Sequence, residues 1–318
     1  MRAQSKSTTR LLMVLLASAA LGLAQTSGYP NYNQPNHNPA GPGAVNYVEG
    51  EVSLNGQPLS QQSVGSITLA PGQDLKTGNG YAEVLLTPGS FLRLGNGSEI
   101  QLESAGLANA RVRLLSGSGL LEVDQLIKGT DLSIDMNRDS AHVLKNGLYD
   151  FDDSAQAVRV LDGKLKVDSA VSSKEIGKDN EILFANGDTF KKTDFSASLV
   201  KDTPLYTWSQ ARSHLEAQEN LTAAQYANNY VAAGPGWFWD PYMNFYGFWP
   251  ASAYLYSPFG FGFYSPAFFG YYGGYYGHPW HYYGGLRAGY RGYVGGTAHI
   301  AGGFHSGFGG GFHGGGRR

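Results

Sequence analysis

The stretch that decides the fold class is Ala82 to Leu86 (AEVLL), followed by Pro88-Gly89 and then Ser90 to Leu94 (SFLRL). The first run alternates apolar and other residues with the period of two that is typical of a strand. Pro-Gly favours a tight turn, because proline restricts its own φ angle and glycine accepts positive φ values. The stretch therefore predicts two neighbouring strands joined by a short turn.

The same pattern of short apolar runs and turn signals recurs from Val45 to about Phe195. Regular short strands separated by such pairs are typical of an all-β sandwich, roll or barrel. Tyr47 to Leu54 also resembles Val160 to Val167, each as strand, glycine and strand, which indicates either a rolled sheet or the ordinary similarity of hairpins. The turn pairs after the first are Asn96-Gly97, Asn146-Gly147, Asp162-Gly163 and Asn186-Gly187.

Motifs in this region resemble those of the FecR-like domain. Gly72 to Gly78 (GQDLKTG) matches the family pattern G-x-x-L-x-T-G, and Gly89 to Leu94 (GSFLRL) matches G-S-x-L-R-L. Val160 to Val167 looks like the closing V-x-x-G-x-V-x-V element, and Gly50-Glu51-Val52 resembles the start. The resemblance covers roughly 45% of the chain and implies an antiparallel β-roll or sandwich over residues 45–195.

The best-known FecR-like proteins are transmembrane regulators with a cytoplasmic anti-sigma segment, and the resemblance does not extend to that part. Only ten residues precede the apolar run that begins at Leu11. We therefore expect a stand-alone exported member of the family, without the sigma-factor role. An envelope signal-sensing component related to FecR-type regulation stays open as the alternative.

Residues 1–24 read as a signal peptide, with Arg2, Lys6 and Arg10 before an apolar run and a small-residue cleavage site before Gln25. An uncleaved anchor is the other interpretation, although the run is short for a membrane span. We expect export to the periplasm, the outer membrane or the medium, with no membrane span after cleavage. Residues 25–44 are rich in Pro and Asn and predict a flexible linker.

A helical extension is predicted over residues 196–233. Asp202 or Thr203 can cap it, and Pro204 suits its first turn. The helical spacing predicts an apolar stripe of Leu205, Trp208 and Leu215 packed on the β-domain. The same spacing places three charged residues on the other faces, namely Arg212, Glu216 and Glu219.

Residues 234–318 are rich in Gly, Tyr, Phe and His and predict a disordered tail, since glycine opposes ordering. Self-association and docking to an envelope protein or glycan are further interpretations, because aromatic rings stack and tyrosine and tryptophan have polar edges. An RNA-binding segment is not expected in an exported protein. The candidate interaction residues are Trp237, Trp239, Tyr242, Trp249, Tyr256 and Trp280.

Composition and motifs exclude several kinds of chemistry. The chain has no Cys, so disulfides and thiol catalysis are excluded, and its net charge of -2 argues against nucleic-acid binding. We find no catalytic motif and expect no enzyme activity, no cofactor and no specific metal site. Asp150, Asp152 and Asp153 are interpreted as a solvated strand end. The weak metal candidates are His278, His281, His305 and His313.

These observations predict a non-enzymatic cell-envelope protein with a binding or scaffold role. Its FecR-like β-domain would be followed by one or two helices and an aromatic, glycine-rich interaction tail. The partner, a protein or a glycan of the envelope, is not identified by the sequence.

Overall fold

The computed structural model of this chain describes residues 40–184, 190–227 and 236–272. The predicted signal peptide, residues 25–39 of the predicted linker and residues 273–318 lie outside the described residues. Within the described ranges, no helix combines the length and the apolar character that crossing a membrane requires. The described residues, up to Tyr272, belong to one compact unit.

Fifteen strands of the described chain form one large sheet. Four of the predicted turn pairs lie at junctions between successive strands, and the fifth, Asn186-Gly187, lies outside the described residues. The strands are β1 (Val45–Leu54), β2 (Gln57–Leu59), β3 (Asp74–Thr87), β4 (Ser90–Leu94), β5 (Glu99–Gly106), β6 (Asn109–Ser116), β7 (Ser118–Val123), β8 (Ser133–Met136), β9 (Asp139–Val143), β10 (Gly147–Asp152), β11 (Ala157–Asp162), β12 (Lys164–Asp168), β13 (Ser173–Gly177), β14 (Asn180–Phe184) and β15 (Phe190–Asp194).

The strand order is β13-β12-β9-β8-β6-β5-β3-β4-β7-β10-β11-β14-β15, with β1 beside β3 and β2 beside β1. The long strand β3 joins two halves of the sheet, because its first residues pair with β5 and its last residues pair with β4. Pairing is antiparallel except between β6 and β8. The prediction of a mainly β fold followed by helices is confirmed.

Two single-glycine connections carry the chain from one half of the sheet to the other. Gly117 links β6 to β7 with φ of 79°, and Gly163 links β11 to β12 with φ of 93°. A Cβ on Gly163 would lie 2.2 Å from the hydroxyl oxygen of Tyr149, and one on Gly117 would lie 2.5 Å from Cα of Ser98. Both positions therefore require glycine for conformation and for space.

Both halves of the sheet bury apolar side chains in one shared core. Leu75, Val84 and Leu92 come from the central strands, and Ile134 and Leu165 come from the first half; each is at most 1% exposed. Because strand residues alternate between faces, the neighbours of these core residues point to the opposite, outer face of the sheet. That outer face is where the helices and the C-terminal aromatic segment pack.

After the sheet come the short helix α1 (Ser198–Lys201) and the long helix α2 (Pro204–Tyr226). Thr203 caps α2, because its Oγ1 accepts a hydrogen bond from the backbone amide of Tyr206 at 3.2 Å, and Pro204 occupies the first turn. The predicted helix is therefore present, with its predicted cap.

The buried face of α2 differs from the predicted apolar stripe. Leu205 is buried, but Trp208 and Leu215 are only partly buried. Polar and charged residues fill most of the buried face because the sheet beneath it offers charged partners. They are Ser209, Arg212, Ser213, Glu216 and Asn220.

Residues 236–272 form elements where the sequence predicts a disordered tail. Two hairpins pack near α2, β16 (Gly236–Asp240) with β17 (Phe245–Trp249) and β18 (Tyr254–Tyr256) with β19 (Gly262–Tyr264), followed by α3 (Pro266–Tyr272). Their aromatic side chains bury enough apolar surface to offset the entropy that glycine adds to the unfolded chain. Phe245, Phe248 and Phe263 are at most 1% exposed.

Candidate functional site

A row of charged side chains crosses the outer face of the second half of the sheet. Opposed residues on neighbouring strands share a face, so the row follows directly from the strand register. Its successive cross-strand partners are Glu83, Arg93, Leu120, Asp150, Arg159 and Glu181. Two clusters of ion pairs, centred on Arg93 and Arg159, lie along this row.

Arg93 lies at the centre of the first cluster and is fully buried. Its Nε atom lies 2.6 Å from Oε2 of Glu83, and its Nη2 atom lies 2.9 Å from Oε2 of Glu216. Its Nη1 atom pairs with Glu122. Glu216 belongs to α2 and the other two carboxylates belong to the sheet, so one guanidinium connects both layers.

Arg212 of α2 adds a second guanidinium to this cluster. Its Nη2 atom lies 3.0 Å from both Oε1 of Glu83 and Oε1 of Glu216. The guanidinium carbon lies 4.2 Å from the ring centre of Tyr47 and 5.0 Å from that of Phe245. These cation–π contacts hold the part of the guanidinium that makes no hydrogen bond to the described residues.

Two neutral side chains complete the hydrogen bonds of the carboxylates. Ser213 Oγ donates to Oε1 of Glu122 at 2.7 Å, and Asn46 Nδ2 donates to Oε1 of Glu83 at 2.7 Å. Charged groups in a dry interior are tolerated only when they are paired and hydrogen-bonded in this way. We refer to Glu83, Arg93, Glu122, Arg212 and Glu216 as the Arg93 network.

The Arg93 network carries three carboxyl groups and two guanidiniums, and a further carboxyl, that of Asp124, is fully buried near Glu122. Burial opposes ionisation of Glu83, but the Arg212 and Arg93 guanidiniums outweigh it and hold its pKa below the usual range. Burial, followed by the charge of Glu83, raises the pKa of Glu216 well above its usual value. The coupled pair thereby favours one shared proton.

Asp124 has no hydrogen-bond donor to either carboxyl oxygen among the described residues. Burial, with the nearby charge of Glu122, raises its pKa well above the usual value. In the protonated form the acid can donate a hydrogen bond to Glu122. When Glu216 and Asp124 are protonated, the negative charges of Glu83 and Glu122 balance the positive charges of Arg93 and Arg212.

The closed geometry decides what the Arg93 network can do. The side chains of Arg93, Glu83, Glu122 and Glu216 are 0% exposed, so no substrate reaches these charges in this conformation. The groups that could act as acids or bases are used to hold α2 on the sheet. The network is therefore a device for positioning the helix.

Arg159 is the centre of the second cluster, nearer the edge of the sheet. Its Nη1 atom lies 2.9 Å from Oδ2 of Asp150 and 3.3 Å from Oδ2 of Asp152, and its Nε atom lies 3.0 Å from Oε2 of Glu181. Asp150 is 6% exposed, so the predicted solvated strand end is wrong at this residue. Burial, partly opposed by Arg159, raises the pKa of Asp150 to about 6.

Two asparagine side chains attach the aromatic segment to the rest of the fold. Asn220 of α2 donates to the carbonyl oxygen of Phe248 at 2.8 Å and accepts from the amide of Tyr264 at 2.6 Å. Asn46 of β1 donates to the carbonyl oxygen of Tyr246 at 3.1 Å and accepts from its amide at 2.6 Å. Each asparagine thus pairs with a hairpin much as a neighbouring strand would.

The structure separates the predicted interaction residues into two groups. Trp239 and Trp249 are buried, and the ring of Trp237 packs edge-on against Phe91 with 5.6 Å between ring centres. Tyr242 and Tyr256 are 73% and 64% exposed. The remaining candidates, Trp280 and the four histidines His278, His281, His305 and His313, lie outside the described residues.

An exposed aromatic surface forms on the second hairpin. Tyr254 and Tyr256 lie on one face of β18, while Leu255 between them packs towards the core. The ring centre of Tyr254 lies 6.1 Å from that of Tyr256 and 6.3 Å from that of Tyr264. We call these three residues the tyrosine face, in which the ring of Tyr254 lies within stacking distance of the other two.

The residues of the Arg93 network were not identified from the sequence. A usable signal was present, since Glu83, Arg93 and Glu122 are single charges within the apolar runs Ala82 to Leu86, Phe91 to Leu94 and Leu120 to Val123. A strand that is buried on both faces reads as a nearly continuous apolar run, and an isolated charge in it needs a buried partner.

Among the comparisons with known proteins, the one with solved structures finds similar chains. No protein-family model matches the chain, and no curated protein matches it. Two crystal structures of a "putative anti-sigma factor" from Parabacteroides distasonis, at 1.65 and 2.50 Å resolution, are similar with TM-scores of 0.36 and 0.35. Each is 18% identical and covers 43% of this chain and 64% of that chain, so the match spans less than two thirds of that protein.

Proposed function

We propose that this chain is a non-enzymatic binding or scaffold protein of the cell envelope that contacts its partner through the tyrosine face. The observation that carries the proposal is the exposure of Tyr254 and Tyr256, at 51% and 64%, on a hairpin that is held by Asn220. An ordered, exposed cluster of aromatic rings is typical of a binding surface.

The sheet and α2 support this role by holding the hairpins in place. The Arg93 network and Asn220 fix α2, and α2 in turn anchors both hairpins. A surface on a rigid support loses less conformational entropy when a partner binds. The charged residues of the outer face thus serve the presentation of the aromatic surface.

The chemistry of the surface favours an uncharged glycan as the partner. Residues 241–269 contain no Asp, Glu, Lys or Arg. Tyrosine combines a flat apolar ring with a hydroxyl group, which suits the apolar faces and hydroxyl groups of a sugar. Export, which rests on the predicted signal peptide, would bring the protein to the polysaccharides of the envelope. Self-association through the tail, residues 234–318, stays a separate prediction.

Co-sedimentation with isolated envelope polysaccharide tests the proposal. The full exported chain is compared with the variant Tyr254→Ser/Tyr256→Ser and with Val171→Ser, a control at a residue that is 69% exposed. We expect the wild type and the control to sediment and the double variant to lose most of its binding. Equal sedimentation of all three, or none, contradicts the proposal, and loss of binding after protease treatment of the polysaccharide indicates a protein partner instead.

The alternative, an envelope signal-sensing component, is favoured by the order of the FecR-like motifs alone. It requires that Leu11 to Leu23 stay in the chain as a membrane anchor. N-terminal sequencing of the exported protein tests this requirement. A first residue at Gln25 removes the physical link to the cytoplasm and contradicts the alternative.

A further inference from the structure

Three loops lie together at one end of the first half of the sheet. β6 and β8 run parallel and β9 returns antiparallel to β8, so the starts of β6 and β8 and the end of β9 share that end. The loops are residues 107–108 before β6, residues 124–132 before β8 and residues 144–146 after β9. We refer to these three loops as the loop end.

Hydrogen bonds join the three loops to one another. The amide of Asp131 donates to the carbonyl oxygen of Ala108 at 2.8 Å, which connects the first loop to the second. Asn146 connects the second to the third, because its Oδ1 atom accepts the amide of Leu126 and its Nδ2 atom donates to the carbonyl oxygen of Asp124, both at 2.7 Å. Loops that are fixed in this way lose less conformational entropy when they bind a partner.

Each loop of the loop end exposes one aliphatic side chain. Leu107 is 58% exposed, Ile127 is 39% exposed and Leu144 is 38% exposed. Ile127 and Leu144 line the same open cleft, and Leu107 belongs to the adjoining loop. A single exposed apolar residue is ordinary on a protein surface, but a group of them on neighbouring loops is typical of a site that contacts a partner or a membrane.

Positive charge accompanies these aliphatic side chains. Lys128 and Lys145 line the same cleft, and neither takes part in an ion pair with another residue that the structure describes. The residues that line the cleft include no Asp or Glu within this part of the chain. Asp131 and Asp162 lie outside the lining, and Oδ1 of Asp131 is hydrogen-bonded to Nδ1 of His142 at 2.7 Å.

We propose that the loop end is a contact surface for an anionic lipid bilayer, in which its aliphatic side chains enter the headgroup boundary beside Lys128 and Lys145. Apolar side chains gain from burial at this boundary, and lysines are attracted by the negative surface potential of the lipids. The absence of aromatic and Arg residues from the cleft lining favours a bilayer over a protein, because the strongest contacts of protein interfaces are rich in Trp, Tyr and Arg.

The proposal goes beyond the function proposed above and shares with it only the predicted export. The tyrosine face contributes no residue to the loop end, so a vesicle test and the polysaccharide test can fail separately.

The lysines are expected to contribute most at low salt. A lysine near an anionic membrane surface is worth roughly fivefold in the partition coefficient, so Lys128→Ser/Lys145→Ser should lower it by roughly 25-fold. Added salt screens this attraction and should reduce the difference. The variant Leu107→Ser/Ile127→Ser/Leu144→Ser should lower the partition coefficient by roughly tenfold.

Co-sedimentation of the full exported chain with lipid vesicles tests the proposal. One set of vesicles contains equal parts of phosphatidylglycerol and phosphatidylcholine, and the other contains phosphatidylcholine alone. The control Lys191→Ser/Lys192→Ser removes the same charge from exposed residues of β15, at the far edge of the other half of the sheet. We expect the wild type and the control to prefer the anionic vesicles and Lys128→Ser/Lys145→Ser to lose this preference. All variants share the same terminal segments, so any membrane contact of those segments is common to the comparison.

A labelling experiment keeps the test decisive if the loop variants fold poorly. The chain has no Cys, so a single introduced thiol can be labelled alone. A polarity-sensitive dye on Leu107→Cys should shift its emission to the blue on anionic vesicles. The same dye on Val171→Cys should not shift, because the turn between β12 and β13 lies at the opposite end of these strands.

Three results overturn the proposal: no binding of the wild type to either set of vesicles, equal binding of the wild type and Lys128→Ser/Lys145→Ser, or equal dye shifts at the two labelled positions. Binding to native membranes alone, if protease treatment of those membranes abolishes it, indicates a membrane protein as the partner and also overturns the proposal.

Discussion

Two arginines on the outer face of the sheet, Arg93 and Arg159, have similar ion-pair partners but differ in their exposure to water. Each pairs with three carboxylates, and both lie in one row across the strands. The side chain of Arg93 is 0% exposed beneath α2, whereas that of Arg159 is 10% exposed. One cluster is sealed by a helix and the other lies near water.

The origin of the carboxylates explains what the difference means. Around Arg159 all three come from the sheet, on β10 and β14, so that cluster joins strands to one another. Around Arg93 one comes from α2, so that cluster joins two layers of the fold. Sealing charges away from water is costly unless every charge is paired. The covered cluster therefore depends most strongly on the integrity of its partners.

The largest effect is expected for Arg93→Met. It leaves Glu83, Glu122 and Glu216 without the cation that they share, and breaking a buried ion pair in this way costs about 3–5 kcal/mol. Urea denaturation at pH 7 measures the loss. Arg138→Met, at an exposed residue, should change the free energy of unfolding by less than about 0.5 kcal/mol. A loss of less than about 1 kcal/mol for Arg93→Met contradicts the difference between the covered Arg93 cluster and the Arg159 cluster near water.

The next effect concerns Asp150 and its pH dependence. Its pKa is raised to about 6, so its contribution to stability is present at low pH and lost as the pH rises through about 6. Asp150→Asn should remove about 2 kcal/mol of this pH-dependent loss between pH 4 and 8. Urea midpoints across that range measure the slope, with Asp162→Asn at an exposed position as the control. An unchanged slope would show that Asp150 titrates as an ordinary surface carboxylate.

A smaller loss is expected for Arg159→Met at neutral pH. The carboxylates that it leaves can be solvated from the edge of the sheet or can take up a proton, so we expect a cost of about 1–2 kcal/mol. Denaturation under the conditions used for Arg93→Met gives a direct comparison. Equal losses for the two variants would mean that covering by α2 makes no energetic difference.

The smallest effect is expected for the tyrosine face. Tyr254→Ser/Tyr256→Ser removes rings that are mostly exposed and should change the free energy of unfolding by less than about 0.5 kcal/mol per residue. Thermal unfolding measures it beside the binding assay. A loss comparable with that of Arg159→Met would show that these rings stabilise the folded core and do not form a surface for a partner.

The sequence is sufficient to predict the mainly β fold and the start of α2. Turn pairs such as Pro88-Gly89 and Asp162-Gly163 act through local conformation, which is encoded by the residues themselves. The cap at Thr203 is local in the same sense. These features need no knowledge of which strands pair with each other.

The candidate site depends on contacts between residues far apart in the chain. Glu83 and Arg212 are separated by 129 residues, and their pairing follows from the position of α2 on the outer face. An apolar-stripe interpretation assumes an apolar sheet beneath the helix, so it placed Arg212 and Glu216 on outward faces. The aromatic segment was misjudged for a related reason. Its composition predicts disorder, whereas its aromatic residues form hairpins that pack on α2 and the sheet.

A double-mutant cycle between Arg93 and Glu216 tests the central claim, that the Arg93 network holds α2 on the sheet. Unfolding free energies are measured for the wild type, Arg93→Met, Glu216→Gln and the double variant at pH 7. Because burial favours the protonated form of Glu216, the 2.9 Å contact between Nη2 and Oε2 is a hydrogen bond to one charged group in a sealed site, and it predicts a coupling energy of about 1.5 kcal/mol or more. Additivity within about 0.5 kcal/mol would contradict the account.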